Sequence, residues 1–573
     1  MSSQTLPLNQ PLRQLSDTLR RVVLTELLFP ITLLILGIYH GLLQVLYRAG
    51  FIRASSFLGL EYYQGLTLHG TINAVVLTTF FAVAFGNVVV SYFLGKKLSD
   101  VAARFSLTLM LGGTLAAAWA MLAGKATVLY TFYPPLKAHP AFYLGVASLI
   151  VGSWIAFFSW IPAYRSWRTE NPGKKTPLAV VGIFSTFIVW FIATLPAAYE
   201  VLVLLLPWSL GWTPTVNVVL ARTLFWFFGH PLVYFWLLPA YTMYYAMLPK
   251  LAGGRLYSDF AGRFAFMMFV VLSAPIGFHH QYSDPGIRTA WKALHGVLTF
   301  GVAIPSMLTA FTLAASMENG ARERGGKGLF AWWGKLPYFS ANDWLFSYLF
   351  CGLILFIFGG ITGIVNASYQ MNLVVHNTSW MPAHFHMTVA GPVFLALIGM
   401  TLMLVSQLTG KPLGSPALRL SVPYLWMIGI LIMSSGLFLG GVRGEPRRTN
   451  LGLTYTNHES PLFRHEWISS TTMAAVGGTV MTIAMLFYFI VFFRMIFSKK
   501  TVEKPELHFP TSEPIHDEKV PVLENFRPFL VGAVVMVILA YVPPLVDIAR
   551  GKLPGSVPFQ PDSPIPVQTS ANH

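Results

Sequence analysis

The segment Trp380-Met-Pro-Ala-His384-Phe-His386 places two histidines two residues apart at the start of an apolar run. Each helical residue is rotated by about 100° from the one before it, so the two imidazoles point about 200° apart. The pair therefore cannot bind a single metal ion, and each ring needs its own acceptor. Two flat cofactors, one on either side of the helix, would satisfy both histidines. Ionisable groups inside a bilayer are costly, which makes each one a candidate for function.

Composition indicates where this helix lies. Of the 573 residues, 55% are hydrophobic and only 10% are charged, which is too apolar for a soluble chain of this length. Apolar runs near the roughly 20 residues that a membrane-spanning helix needs recur along the sequence. The chain is therefore predicted to be all-α, a single polytopic helix bundle over residues 1–573. We expect about thirteen transmembrane helices, at 22–47, 66–94, 105–124, 141–163, 177–206, 220–249, 264–282, 291–317, 344–370, 384–409, 421–442, 471–497 and 526–549.

The distribution of basic residues predicts the orientation. With the N-terminus inside, the cytoplasmic segments hold 25 Lys and Arg and the external segments hold 13, which matches the positive-inside bias. The tail 1–21 and a Pro-rich, charged linker at 498–527 are then cytoplasmic. The same bias accounts for the net charge of +16, so no nucleic-acid partner is expected. Cys351 is the only cysteine, which excludes an internal disulfide, an iron–sulfur cluster and a thiolate copper centre built by this chain alone.

Several histidines fall at one depth of the predicted bundle. Taken singly, each could be a structural histidine bonded to a neighbouring helix. In the predicted topology, however, the ones inside helices or at their mouths all lie in the outer half of the membrane, which favours metal or haem ligation. They are His69, His230, His279, His280, His384 and His386.

Three of these histidines, which lie in two motifs, suggest a copper site. His279 and His280 are adjacent at the end of a predicted helix, followed by Pro285-Gly286, where a non-helical backbone lets consecutive imidazoles converge on one atom. Tyr234 lies four residues after His230 and shares its helix face. For the motif of His230 and Tyr234, the alternative is an ordinary helix kink at Pro231 beside an aromatic ring. Three neutral imidazoles with an open position suit copper.

The combined motifs resemble the catalytic subunit of haem-copper oxidases across nearly the whole chain. They are Gly65-Leu-Thr-Leu-His69-Gly70, His230-Pro-x-x-Tyr234, His279-His280 and His384-Phe-His386. The segments 62–70, 126–136 and 375–378 are similar to the B-type branch of that family. Leu232 stands where the A-type pattern has a glutamate, so this chain lacks that internal carboxylate.

The resemblance implies a role for each motif residue. His69 and His386 would be the axial ligands of a low-spin haem of b type, and His384 the ligand of a high-spin haem of a, o or b type. The ligands of one copper ion would be His230, His279 and His280. Tyr234 would act with His230 in catalysis, as a redox tyrosine joined covalently to that histidine. Asn372 stands where we expect a carboxylate in a thermophilic relative, which weakens a proton-loading role there.

Two further sets of residues are expected to serve this centre. Tyr234, Tyr241 and Tyr245 fall on one face of their helix and predict a proton pathway, completed by Ser306, Thr309 and Thr312. The alternative is that these hydroxyls only join helices by hydrogen bonds. Cations and donors near the outer surface would bind haem propionates, although the arginine pair could equally be a solvated loop face. These candidates are Arg447, Arg448, His376 and Asp284.

The resemblance also implies activity and partners. The chain would belong to a proton-translocating cytochrome c oxidase that reduces O₂ to water in a prokaryotic cell membrane. Cytochrome c would donate electrons through a separate subunit II with a dinuclear copper centre, and a small further helical subunit would complete the complex. Open alternatives within the superfamily are a quinol oxidase and a nitric oxide reductase, the latter disfavoured by Tyr234. A polytopic transporter and a haem sensor are alternatives of other classes.

Overall fold

The computed structural model of the protein describes residues 14–52, 60–449, 457–501 and 506–551. Within these ranges it is an all-α bundle, which confirms the predicted class. Twelve helices are long and apolar enough to cross a membrane. They are α1 (Asp17–Arg48), α2 (Tyr62–Leu94), α3 (Asp100–Leu122), α4 (Pro140–Glu170), α5 (Leu178–Ser209), α6 (Val218–Leu251), α8 (Thr289–Glu323), α9 (Leu345–Ala367), α10 (Trp380–Thr409), α11 (Pro416–Val442), α12 (Trp467–Ile496) and α13 (Phe526–Ala549).

The predicted helix at 264–282 is the one whose extent was wrong. The corresponding helix, α7 (Asp259–Leu272), has 14 residues and spans about 21 Å, less than the roughly 30 Å of a hydrocarbon core. It ends two residues before Ala274-Pro275, because a proline disfavours helical backbone at the residue before it. The chain then turns into a short 3₁₀ helix, Gly277–Gln281, which carries His279 and His280. The expected count of about thirteen is otherwise confirmed.

Polar residues at the N-cap positions mark where many of the helices begin. Each accepts a hydrogen bond from a backbone N–H three residues later and satisfies a donor that has no partner in the first turn. They are Ser16, Ser99, Asn217, Ser258 and Ser415. Between these ends the helices pack as antiparallel neighbours, with the most extensive contacts in the pairs α3–α4, α5–α6 and α11–α12.

Three of the long helices contain a π-helical segment. Thr71–Val76 interrupts α2 two residues after His69, and Val389–Val393 interrupts α10 three residues after His386. The third, Glu200–Leu205, lies near the end of α5. Such segments rotate the following residues relative to a regular helix and often occur at functional sites. Two of the three therefore adjoin predicted haem ligands.

Part of the predicted linker is folded. Strand β1 (Leu256–Ser258) pairs in parallel with β2 (Pro514–His516), and a 3₁₀ turn, Pro521–Glu524, precedes α13. Arg263 donates to Asp259 at 2.6 Å and to Glu524 at 2.9 Å, and Lys175 bridges Asp259 and Asp517 at 3.2 and 2.6 Å. These ion pairs hold the described part of the linker against the ends of α5 and α7. Residues 502–505 of the linker and 1–13 of the predicted tail lie outside the described ranges.

Candidate functional site

His69 on α2 and His386 on α10 face each other across a cavity. Their ring centroids are 6.3 Å apart and their planes differ by 18°. His69 Nδ1 lies 2.7 Å from the carbonyl oxygen of Gly37, and His386 Nδ1 lies 2.6 Å from that of Pro382. A carbonyl only accepts, so each Nδ1 carries the hydrogen. The other nitrogen of each ring, Nε2, therefore keeps the lone pair that a metal ion requires.

The space between these rings fits a haem. Two metal–nitrogen bonds of about 2 Å, with about 1 Å from each nitrogen to its ring centre, account for a separation of about 6 Å. The cavity has a volume of about 300 Å³ and is mostly apolar, with arginines among its lining residues, as a haem with charged propionates needs. A Cβ atom on Gly41 would lie 2.7 Å from His69 Cε1, so glycine there makes room for the ring. The lining includes Leu42, Val45, Met433, Arg48, Arg447 and Arg448.

His384 points to the other side of α10. Its Nδ1 lies 2.9 Å from Thr362 Oγ1 on α9, and that hydroxyl donates to the carbonyl of Gly359 at 2.8 Å. Because the hydroxyl hydrogen is already used, Thr362 accepts from His384 Nδ1–H, and Nε2 is again left for a metal. His386 thus faces α2 and His384 faces α9. The structure separates the two imidazoles onto opposite sides of one helix.

His230, His279 and His280 form a compact cluster. Their ligand atoms lie within 4.8 Å of one another. The ring centroid of His279 is 4.3 Å from that of His230 and 4.2 Å from that of His280. His230 Nδ1 lies 3.0 Å from His280 Nε2. Three imidazoles from α6 and the 3₁₀ turn thus converge on one point. This donor set suits a copper ion.

Residues that the sequence did not single out surround this cluster. The indole of Trp226 stacks on His280, with centroids 3.9 Å apart and planes within 10°. Thr299 Oγ1 lies 3.1 Å from His279 Nδ1 and donates to the carbonyl of His295 at 2.6 Å, so it accepts from the imidazole and leaves Nε2 for the metal. Thr299 is twenty residues away on another helix, and no spacing rule could have found it.

Tyr234 lies directly beside the cluster. Its phenol oxygen is 3.2 Å from His230 Nε2, and the two ring centroids are 5.2 Å apart. The side chain is buried. The expected neighbourhood of i and i+4 residues on α6 is therefore present. Leu232, on the same helix, is also buried and brings no polar group to this region.

The hydroxyls of the predicted pathway are only partly joined. Tyr245 donates to Thr309 Oγ1 at 2.9 Å, which links α6 to α8. The Tyr241 hydroxyl is buried next to Ser306 and has no hydrogen-bond partner in the part of the chain that the structure describes. Thr312 donates to a carbonyl of its own helix at 2.7 Å. Such an interrupted row of hydroxyls needs intervening water to conduct protons.

Ser316 extends this row beyond the predicted residues. It lies one turn after Thr312 and donates to the Thr312 carbonyl at 2.7 Å. Its oxygen also accepts from the backbone N–H of Tyr257 in β1 at 2.9 Å. The i+4 spacing from Thr312 was a signal that could have identified it.

Arg447 and Arg448 both line the cavity between His69 and His386. Arg447 donates to Asn377 Oδ1 at 3.0 Å, while its buried Nε has no partner among the described residues. The Arg448 guanidinium lies 5.7 Å from the ring centre of Tyr130. Loss of hydration and the charge of Arg448 lower the pKa of Arg447 to about 10. Neither arginine forms a salt bridge within the described ranges, so both charges can pair with an anion in the cavity, although Arg448 also contacts Tyr130 and Tyr133.

The other two candidates lie away from that cavity lining. Asp284 accepts two hydrogen bonds of 2.9 Å from Arg222, a residue that the sequence did not single out. His376 Nδ1 lies 2.9 Å from Asn372 Oδ1, whose amide donates to the Asn366 carbonyl at 2.7 Å. Burial, with a smaller contribution from Arg447, lowers the pKa of His376 to about 4, so this imidazole is neutral. Because Asn372 Oδ1 accepts, the one hydrogen of the neutral imidazole lies on Nδ1, and Nε2 has none to donate in this arrangement.

Known proteins resemble this chain over most of its length. A family model described as cytochrome c and quinol oxidase polypeptide I matches residues 21–480. Cytochrome c oxidase subunit 1 of Thermus thermophilus is 42% identical over 85% of this chain and 86% of its own. Subunit 1 of the Alkalihalophilus pseudofirmus cytochrome c oxidase is 27% identical over 68% of this chain and 62% of its own. A cryo-EM structure of a heme-copper terminal oxidase dimer superposes with a TM-score of 0.91 at 49% identity, covering 96% of this chain and 97% of that one.

Proposed function

We propose that this chain is the catalytic subunit of a proton-translocating terminal oxidase, because it belongs to the family of cytochrome c and quinol oxidase polypeptide I. Membership implies two haems and one copper ion. In this function the subunit reduces O₂ to water. The observation that carries the proposal is the division of six histidines into a facing pair, a single ring and a cluster of three.

Each group of histidines then receives one cofactor. His69 and His386 hold the low-spin haem, of b type, and their Nδ1 hydrogen bonds fix the ring orientation. His384 holds the high-spin haem, of a, o or b type, with Thr362 as the orienting acceptor. Copper is held by His230, His279 and His280. When bound, these groups supply electron transfer and the binding and reduction of O₂.

Tyr234 supplies a group that the metals cannot. Its phenol can release an electron and a proton together, and its oxygen lies 3.2 Å from a nitrogen of the copper ligand His230. We propose that Tyr234 is catalytic and that His230 is both ligand and catalytic neighbour. The covalent Tyr–His bond expected from the resemblance is part of this proposal.

Proton delivery is assigned to the hydroxyl row. Tyr241, Tyr245, Ser306, Thr309 and Thr312 lead away from Tyr234, with water completing the connections between them. Leu232 provides no carboxyl for a second internal route. We propose that this one pathway supplies both the protons consumed and those translocated.

The arginine pair is the main proposed partner of the haem propionates. Arg447 and Arg448 line the low-spin cavity, and the buried Nε of Arg447 has no hydrogen-bond partner among the described residues. His376 is proposed as a further contact of a propionate on the neighbouring haem, and donating to it requires the ring hydrogen to move from Nδ1, which faces Asn372 Oδ1, to Nε2. Asp284 acts through Arg222, which it orients by two hydrogen bonds, and a direct contact to a propionate would place two carboxylates together.

The setting and partners are also proposals. The excess of Lys and Arg in alternate loops supports a cytoplasmic N-terminus in a prokaryotic cell membrane. Residues 1–573 act as one domain. Cys351 alone cannot build a dinuclear copper centre, so a separate subunit II carries it, accompanied by a small helical subunit. Cytochrome c is the proposed electron donor, in keeping with the name of the Thermus thermophilus relative.

An optical spectrum and an oxygen electrode test the proposal on the purified complex. We expect reduced-minus-oxidised haem bands, a CO-induced shift of one haem, and O₂ consumption with reduced cytochrome c. A colourless preparation would indicate a transporter, and haem without O₂ consumption a sensor. Consumption with quinol alone would identify a quinol oxidase. Nitric oxide reduction without copper would identify the reductase branch.

A further inference from the structure

The last spanning helix, α13, packs closely against α6 at one point, although most of its length is exposed. Most of its side chains face outward, and among its few buried ones are Ala540 and Tyr541. Tyr541 stacks on Phe227 of α6, with centroids 3.9 Å apart and planes within 7°. Together with Ala274 and Phe278 these residues form a small apolar cluster separate from the main core. This cluster lies directly behind the 3₁₀ turn that carries His279 and His280.

The Tyr541 hydroxyl reaches the first residue of that turn. It accepts a hydrogen bond of 2.9 Å from the backbone N–H of Gly277. An N–H at the start of a helical turn has no partner within the turn, and because Gly277 is buried, leaving this donor unpaired would be costly. A Cβ atom on Gly277 would lie 2.3 Å from the Tyr541 oxygen and 2.4 Å from the Trp226 carbonyl oxygen, so the approach is as close as the backbone allows.

A second connection runs through His295 on α8. Its Nδ1 accepts from the backbone N–H of Phe278 at 3.3 Å, so its hydrogen lies on Nε2, which donates to the carbonyl of Ala540 at 3.1 Å. The ring also stacks on Phe278, with centroids 4.0 Å apart. His295 therefore joins α13 to the residue immediately before His279. Its own carbonyl accepts from Thr299, the residue that orients the His279 ring.

From these contacts we infer that α13 is a clamp for the copper site, in which Tyr541 and His295 are positioning residues. Tyr541 fixes the start of the 3₁₀ turn, and His295 fixes its second residue against the Ala540 carbonyl. Consecutive imidazoles converge on one ion only while this turn keeps its non-helical shape. The inference rests on the proposed copper ligands, and neither residue touches the ion or the substrate.

The test compares copper binding in Tyr541→Phe, His295→Phe and the unmodified complex. Phenylalanine keeps the stacking on Phe227 or Phe278 and removes only the polar contacts. We expect the apparent copper affinity, measured by competition with a chelator and expressed per haem, to fall about tenfold or more in each variant, as for other residues that orient metal ligands. The infrared band of CO on reduced copper should also shift or broaden. Tyr488→Phe is the matched control, since Tyr488 is equally buried but donates to Ile398 of α10 at 3.4 Å.

The outcomes separate the clamp from the proposed function. Wild-type copper affinity and an unchanged CO band in both variants would overturn the clamp. So would a loss of copper accompanied by an equal loss of the low-spin haem spectrum, because the residues would then support the fold in general. An unmodified complex that holds both haems but no copper would instead overturn the proposed ligand set. If Tyr541→Phe does not assemble, His295→Phe alone decides between these results.

Discussion

Two pairs of neighbouring histidines in this molecule have opposite geometries. His384 and His386 stand on a regular part of α10 and point to opposite sides, one to α9 and one to α2. His279 and His280 stand on a short 3₁₀ turn, and their ring centroids lie 4.2 Å apart on the same site. The regular helix thus divides its two imidazoles between two acceptors, and the broken helix brings its two imidazoles to one.

The difference shows that backbone regularity decides how many sites a histidine pair serves. On α10 a 100° rotation per residue is sufficient, and no side chain outside the helix is needed to separate the rings. The 3₁₀ turn needs external support, which Trp226, Thr299 and Tyr541 supply. The copper site should therefore be sensitive to changes in distant residues, while the division on α10 should survive them.

The largest expected effect comes from removing one ring on either side of α10. His384→Ala should abolish the CO-reactive haem and leave the low-spin spectrum, because only the bond to that haem is lost. His69→Ala should do the reverse. Haem extraction and reduced-minus-oxidised spectra on the purified complex measure both. Equal loss of both haems in a folded complex would contradict the separation of the two sites.

Tyr234→Phe tests the phenol beside the copper cluster, which lies on α6 one turn after His230. The variant should retain both haems and copper and lose turnover by more than about a hundredfold, because no phenol remains to supply an electron and a proton. O₂ consumption and metal content are measured on one preparation. Tyr244→Phe, on the same helix with a weak 3.5 Å contact to Pro392, is the control and should stay near normal. Substantial turnover in a metal-replete Tyr234→Phe complex would remove the tyrosine from the mechanism.

Gly277→Ala tests the 3₁₀ turn that carries His279 and His280 directly. The added Cβ would meet Tyr541 and Trp226 at under 2.5 Å, so the turn must shift. Copper occupancy should fall about tenfold or more, with the low-spin spectrum preserved. Gly301→Ala is the control, since a Cβ there would meet nothing nearer than 3.9 Å. Full copper occupancy in Gly277→Ala would show that the turn tolerates movement and would weaken the comparison with α10.

A substitution in the hydroxyl row should reduce turnover less than the loss of Tyr234 does. Thr309→Val removes the acceptor of Tyr245 and replaces it with a group of similar size. Turnover and proton pumping in reconstituted vesicles should fall together, by about tenfold, with unchanged spectra. Thr401→Val is the control, because Thr401 is also buried but bonds only to Leu397 of its own helix, away from the row. Loss of pumping at normal turnover would require a second proton route.

Sequence patterns predicted the regular parts of this structure well. Apolar runs located twelve spanning helices, and the 3.6-residue period placed His384 and His386 on opposite faces and Tyr234 beside His230. At 264–282 the apolar run continued past the end of the helix at Leu272. Apart from Pro275, nothing in its composition indicated that the helix ends there. Periodicity describes a helix and says little about where one is broken.

The supporting contacts were not predictable because packing creates them between distant segments. Arg222 and Asp284 are 62 residues apart, and Gly277 and Tyr541 are 264 apart. The same holds for the linker, where Arg263 pairs with Glu524 across 261 positions. Composition could identify most of these residues as polar or charged. Only the arrangement of the helices decides which partner each one meets.

The smallest expected effect concerns the low-spin haem, whose ligands stand on regular helices. Arg447 lines its cavity, and the charge of this arginine favours the reduced, less positive haem. Arg447→Gln should therefore lower the midpoint potential. A unit charge about 10 Å away, partly screened by solvent, changes the ratio of reduced to oxidised haem by a few-fold at a fixed potential. Arg443→Gln, on the same loop but outside the cavity lining, should leave the potential unchanged in the same spectroelectrochemical titration. A rise in potential for Arg447→Gln, or equal shifts in both variants, would place the Arg447 charge away from the haem.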